Sequence, residues 1–229
     1  MADYNGITRD ALFLLAENRF RDSRSFYEEH KEALKQGVTV PLRQLAGILG
    51  PELQSLDPLM CTVPTKMVSR IRRDTRFTKD QSLYRDHMWI MFMRPKHEWE
   101  NYPAFWFEVA PNRYSMGVGL YGHTPGLMQT YREQIRDHET AFRAAVREAL
   151  ASGAVPYGER YKRPQPGCPA GLEALYNCKD FGFIYESSRL EDLADETILG
   201  VIRDCYRQLA PTFRFLLAVS DDYFSKNAN

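Results

Sequence analysis

The sequence predicts an α+β protein, an antiparallel or mixed β-sheet from the middle of the chain packed by N- and C-terminal helices. Three observations predict it. Apolar residues recur at helical spacing early in the chain and again in its second half. Between them the period shortens to two, and aromatic and β-branched residues alternate with polar ones. The two most strand-like runs, "AFWFEVA" and "RYSMGVGLY", are separated only by the turn "PN".

The elements follow in order. Thr8 can cap a helix in which Leu12, Leu15 and Ala16 share a face. Asp22 or Ser23 can cap a second helix with Phe26, His30, Ala33 and Leu34 on one side, and Gly37 is placed to end it. A third helix opens at Pro41 and closes at the "GP" of Gly50–Pro51. "TKMVSRIRR" reads as a strand. "HMWIMFM" is apolar on both faces, as in a strand covered on both sides. In the hairpin, Phe105, Phe107 and Val109 share a face. "TPGLMQTYREQIRDH" and "ETAFRAAVREALAS" are helical, the second stopped by Gly153. Residues 154–170, rich in Pro and Gly, read as a loop. A short element near Leu172–Tyr176, a strand in "KDFGFIYE" and a final helix follow. Ile198, Ile202, Cys205, Tyr206 and Leu209 line that helix, and Pro211 is expected to break or kink it.

Composition bounds the possibilities. The chain has 229 residues, 44% hydrophobic and 26% charged, enough to bury a core without metal or disulfide staples. It reads as one domain over residues 1–229. Lys+Arg and Asp+Glu balance at 30 each, so no global field draws it to nucleic acid or anionic membrane. Cys61, Cys168, Cys178 and Cys205 form no C-x-x-C pair and read as reduced thiols. The opening "MADYNGITRD" has no apolar run and "MWIMFM" is too short to span a bilayer, which predicts a cytoplasmic protein. The five histidines fall in no metal-ligand spacing, so no metal or other cofactor is predicted.

The segment "SRIRRDTRFTKDQSLYRDH", Ser69 to His87, concentrates cations in this neutral chain. As a strand it puts Arg70, Arg72, Asp74 and Arg76 on one face. As a helix it puts Arg70, Arg73, Asp74 and Phe77 together. A strand to about Arg72 is favoured by the β-branched "MVSRI". Thr78 and Gln81 then form a T-x-x-Q capping box that starts a short helix through Tyr84 and Arg85, with Lys79 and Asp80 in its first turn. Guanidinium forks match carboxylate and phosphate oxygens in pairs. Arg70, Arg73 and Arg76 would hold an anionic ligand, with Lys79 and Arg85 beside them. Asp74 would orient them or act as a base, and Tyr84, its pKa lowered by the cations, would pass a proton. The competing reading is a structural knot that binds nothing, in which Arg73→Ala would cost what a broken buried pair costs.

This stretch resembles a family known as domain-of-unknown-function family 2461, whose pattern R-x-x-R-D-x-R-F-x-x-D-K-x-x-Y is matched by Arg70, Arg73, Asp74, Arg76, Phe77, Asp80 and Tyr84; Gln81 stands where the family has Lys. "ENRFRDSRSFYEEHKEAL", with Lys31, and the hairpin with its Gly-rich second strand resemble further family stretches. Lys162, Arg163, Pro166, Gly167 and Lys179 match a later "K-R-x-P-x-G … L-x-x-K" stretch. The resemblance implies an α+β fold and no settled activity. It adds Lys179 to the ligand-binding candidates.

"GVGLYG" satisfies G-x-G-x-x-G at Gly117, Gly119 and Gly122, but inside a hairpin strand it lacks the strand-to-helix turn of a dinucleotide site. Close backbone approach is the better reading, with the charged segment a candidate to cross there. His87 and His123 each allow a general base or a plain hydrogen-bonded histidine. "ERYKRP" puts Lys162 and Arg163 in the Pro-rich loop, either as a solvated patch or as a lid closing over the first cluster, where Tyr157 and Tyr161 could stack on a base or sugar. The reading is a binder of a small phosphate- or carboxylate-bearing ligand, or an enzyme acting on one. The alternative is a scaffold protein that meets an unidentified partner through Trp99, Tyr102 and Trp106. Nucleic acid is disfavoured by the neutral charge.

Overall fold

The computed structural model describes residues 3–227, with residues 77, 96, 121 and 122 outside the description. Phe77 of the family pattern and Gly122 of the glycine run are among the latter. The architecture is α+β, as the sequence predicts. Helices α1 (Arg9–Arg21), α2 (Arg24–Leu34) and α3 (Val40–Leu53) precede a four-residue helix α4 (Pro64–Met67). Strands β1 (Met88–Phe92), β2 (Pro103–Ala110) and β3 (Arg113–Leu120) lead to α5 (Pro125–Asp137) and α6 (Glu139–Ala151). Then come β4 (Val155–Tyr157), the short α7 (Glu173–Tyr176), β5 (Gly182–Ser187) and α8 (Thr197–Lys226).

The expected caps are in place. The Thr8 hydroxyl accepts from Ala11 N–H, and Ser23, not Asp22, caps α2 by accepting from Phe26 N–H. Asp22 instead closes α1 in the left-handed conformation, with φ of 45°. Gly37 does not end α2. A π-helical turn over Lys35–Thr39 carries the chain into α3. Gly37 answers to α1, since a Cβ there would stand 2.8 Å from the Ala11 Cβ. Pro51, expected to close the third helix, and Pro211, expected to break or kink the last one, both lie inside helices, Pro51 within α3 and Pro211 within α8. Each removes one backbone bond, but Leu209, Ala210, Thr212 and Phe213 around Pro211 are all buried, and that packing carries α8 through.

The strands form one antiparallel sheet in the order β1-β2-β3-β5-β4. One face is covered by helices. Phe105 stacks on Phe213 of α8 at 4.9 Å between ring centroids, and the Tyr206 hydroxyl donates to the Trp106 carbonyl at 2.6 Å. Tyr114 donates to Asp192 at 2.8 Å and Tyr4 to the Leu193 carbonyl, which closes the N-terminal end over the core. The second face is not covered as the apolar run of β1 suggested. Met88, Ile90 and Phe92 are buried, while Trp89 and Met91 point the other way and are only half-buried.

Two further expectations fail at the edges of the sheet. "TKMVSRIRR" is not a strand: after α4 the chain runs along β1, touching it through a bridge between Val68 and Ile90 and a bond from Ser69 N–H to Trp89 O, while before α4 Cys61 N–H bonds Met93 O just past the strand. The "loop" after Gly153 begins with β4, a three-residue edge strand with Pro156 at its centre. Asp57, 2% exposed, holds the Arg94 side chain at 2.7 Å and caps the turn at Leu59 N–H. Among the described residues no helix is long and apolar enough to cross a membrane.

Candidate functional site

The charged segment folds as a pinned loop. Arg73 N–H donates to Leu83 O and Arg85 N–H to Ile71 O, with a bridge between Arg72 and Tyr84, so its two ends run antiparallel. The expected helix from Thr78 does not form. The Thr78 hydroxyl accepts from Asp80 N–H at 3.1 Å, two residues on, and the Asp80 carboxylate accepts from Ser82 N–H at 3.0 Å. The Gln81 amide donates to Thr78 O at 2.7 Å. These short side chains satisfy the local backbone in turns, which removes the incentive for a helix. No helix N-terminus is therefore present for Lys79 or a ligand to use.

The carboxylates are engaged within the protein. Asp80, not Asp74, is the hub: it takes the Arg73 guanidinium, the Ser82 hydroxyl and Arg19 from the last turn of α1, the last at 3.2 Å. The Ser82 hydrogen bonds and then Arg73 hold its carboxyl well below the usual range. Asp74 is exposed and pairs in a fork with Arg76 at 2.9 and 2.6 Å, which lowers its pKa to about 2. Asp22 fixes the far side of the loop by accepting from Leu83 N–H at 2.7 Å and from Tyr84 N–H. Tyr84 is 3% exposed and stacks on Tyr27 at 4.7 Å. Its phenol is raised by burial, which outweighs Arg72, so the expected cationic lowering does not occur. Arg70, Arg72 and Lys79 are exposed. His87 bonds the Asp86 carboxylate at 2.7 Å and stacks on Trp89, the plainer of its two readings.

The second basic cluster does not close over the first. Lys162 and Arg163 are exposed on the loop after β4, and Lys179 pairs with Glu159 at 2.8 Å. They belong to the β4 edge of the sheet and the charged segment to the β1 edge, four strand spacings or roughly 19 Å away.

The uncovered sheet face holds what sequence reasoning missed. A groove of about 640 Å³ runs across it, lined by Trp89 and Met91 of β1, Trp106 of β2, Tyr157 of β4, Ile184 of β5 and the nearby Trp99. Glycines on β3 and β5 let two of its walls lie low on the sheet. Register places Gly117 beside Trp106 and Ile184, and Gly119 beside Ala104 and Gly182. A Cβ at Gly117 would collide with the Trp106 ring and the Phe183 carbonyl; one at Gly119 or Gly182 would collide with Tyr157. Trp106 and Tyr157, not the charged segment, make the close approach that the glycines permit. The two rings meet edge to face at 5.5 Å. Desolvation, then Asp180, raises the Tyr157 phenol. Glu108 is the groove's carboxylate, tied to Arg113 at 3.3 Å. At the β1 end the Arg85 guanidinium lies 4.6 Å over the Trp89 ring and His87 stacks on the same ring, so the charged segment meets a wall of the groove there. The signal available in the sequence was Gly117 and Gly119 two residues apart in a strand, with Trp89, Trp99 and Trp106 upstream, but their pairing depends on register.

Among the described residues no group of three or more His, Cys, Asp or Glu could hold a metal ion. The four cysteines are unbridged, and burial pushes the Cys205 thiol up to about 12. A comparison with curated proteins returns no match. The family model described as conserved hypothetical protein DUF2461 matches residues 10–215, which include the charged segment, the whole sheet and most of α8. The chain therefore belongs to the DUF2461 family.

Proposed function

We propose that this protein binds a small amphipathic molecule, its apolar body against the aromatic walls of the groove and its anionic group toward the Arg85 end. The observation that carries this is the groove itself: an uncovered sheet face walled by Trp89, Trp99, Trp106 and Tyr157, two of which lie low on the strands because Gly117, Gly119 and Gly182 leave room for their rings. A volume of about 640 Å³ suits a small molecule. The anion-binding reading of the charged segment survives in this form, with Arg85 at the rim and Arg70, Arg73, Arg76 and Lys79 adding positive potential behind it. Catalysis by Asp74 and Tyr84 gains no support, because a carboxyl near 2 is a weak base and the phenol is driven away from neutrality.

A titration with anilinonaphthalene sulfonate, an aromatic anion, tests this by energy transfer from tryptophan. Saturable binding to the native protein is expected, about tenfold weaker in Trp106→Ala, as loss of one aromatic wall implies. Unsaturable binding, or equal binding in a folded Trp106→Ala, would sink the proposal.

A second reading, a scaffold in which the Arg/Asp motif is structural, is favoured by the threefold engagement of Asp80. It predicts that Asp80→Asn lowers the melting temperature and leaves dye binding unchanged. Weakened dye binding with an unchanged melting temperature would exclude it.

A further inference from the structure

Far from the groove, a cavity of about 270 Å³ lies between α5 and the Pro/Gly-rich loop after β4, lined by Gln129, Arg132, Arg136, Pro166, Gly167 and Tyr176. Arg132 is 5% exposed. Its Nη2 donates to the Gln129 side chain at 3.3 Å, and its guanidinium faces the Tyr161 ring at 5.6 Å. Its Nη1 is buried and has no hydrogen-bond partner among the described residues. No carboxylate among them forms an ion pair with Arg132 or Arg136, and none lines the cavity. Buried guanidinium groups are ordinarily paired, because an uncompensated charge in a low-dielectric site is costly. An anion from outside the chain would supply that compensation here.

The surroundings are organised for one. Arg136 donates to the Tyr176 hydroxyl at 2.5 Å, which in turn donates to the Pro166 carbonyl at 2.9 Å. Arg136 is thereby held at the mouth. Gly167 has φ of +75°, and a Cβ there would press on the Arg136 side chain at 3.2 Å. The loop thus turns back toward the arginines at a residue that must be glycine.

We propose that this cavity is a small-oxyanion site, with Arg132 as the buried anchor and Arg136 as the second fork, for a compact phosphate- or carboxylate-bearing ligand. The size excludes a long polyanion, and two planar forks suit oxygens set in pairs.

Thermal unfolding at matched ionic strength, with chloride as reference and inorganic phosphate or acetate as probe, decides it. The melting temperature of the wild type rises saturably, by roughly 5–10 °C at a hundredfold excess over the dissociation constant. The anion that saturates at lower concentration identifies the ligand class. Arg136 is exposed, so Arg136→Met folds and shows a reduced shift. Arg132→Met, where it folds, shows none. No saturable shift with either anion, an undiminished shift in Arg136→Met, or a retained one in a folded Arg132→Met overturns the proposal. Dye binding in the groove is unaffected by these substitutions, so this outcome and that of the groove proposal are separable.

Discussion

The charged segment and the open sheet face have opposite signatures. The segment is contiguous in sequence and dense in charge, and it directs its hydrogen-bonding capacity inward: Asp80 to Arg73, Arg19 and Ser82, Asp74 to Arg76, Asp22 to the backbone. Among the described residues it lines neither the groove nor the cavity beside α5. The groove comes from five strands and a loop spread over nearly a hundred residues, and the positions that shape it carry no side chain at all. A run of charges reports local self-satisfaction as readily as a site, whereas the removal of side chains from adjacent strands lets aromatic rings settle low on the sheet and wall an open apolar groove.

Four substitutions would break or sharpen this contrast. The largest effect is expected from Asp57→Ala, which strands Arg94 and should cost roughly 3–5 kcal/mol in denaturant unfolding, the scale of a broken buried pair. It sets the ceiling against which the charged segment is judged. Gly117→Ala should cost about 1–3 kcal/mol by overpacking against the Trp106 ring and the Phe183 carbonyl, and should abolish dye binding. A Gly117→Ala protein as stable and as competent as wild type would mean that the room glycine leaves for the Trp106 ring is dispensable. Arg73→Ala should shift the melting temperature less than Gly117→Ala, because its partner Asp80 is 44% exposed. A larger shift would restore the buried-knot reading.

The smallest effect is expected from Asp74→Asn, measured from pH 7 to 2. The folded carboxyl sits near 2 and the unfolded one near 3.9. A depressed folded pKa contributes stability above the unfolded value and loses it as pH falls through the folded one. The variant should therefore be slightly less stable at neutral pH, with the gap narrowing as pH falls from about 4 toward 2. A gap as wide at pH 2 as at pH 7 would mean that Asp74 acts through something other than its pairing with Arg76.

Much of the fold was legible because its signals are local. Thr8 and Ser23 cap helices through bonds spanning three residues, and the "PN" turn joins two strands adjacent in sequence. The failures have two causes. Gly37 and Pro51 read as stops and Pro211 as a break or kink, but tertiary packing holds the helices through them. Thr78 and Gln81 fit a capping box, but Asp80 and Ser82 offered the backbone a closer alternative. For the site, the sequence pointed to Arg85 and to Trp99 and Trp106 without joining them. What brings the groove together is register, which sets Met91 against Trp106 against Gly117 against Ile184, with Arg85 reaching in over Trp89. No spacing rule in one dimension encodes that row. Arg132 and Arg136 share a helix face by their i,i+4 spacing, but the approach of Gly167 to them was equally invisible.

Both margins of the sheet are blunted against extension. Pro156 lacks a donor at the centre of the short β4, and the chain flanking α4 lies along β1 through Cys61, Val68 and Ser69. An incoming peptide or a second copy therefore meets interrupted main-chain edges. In the proposed binder recognition falls to side chains on the broad surface, so its selectivity can be retuned by exchanging indoles and aliphatics there.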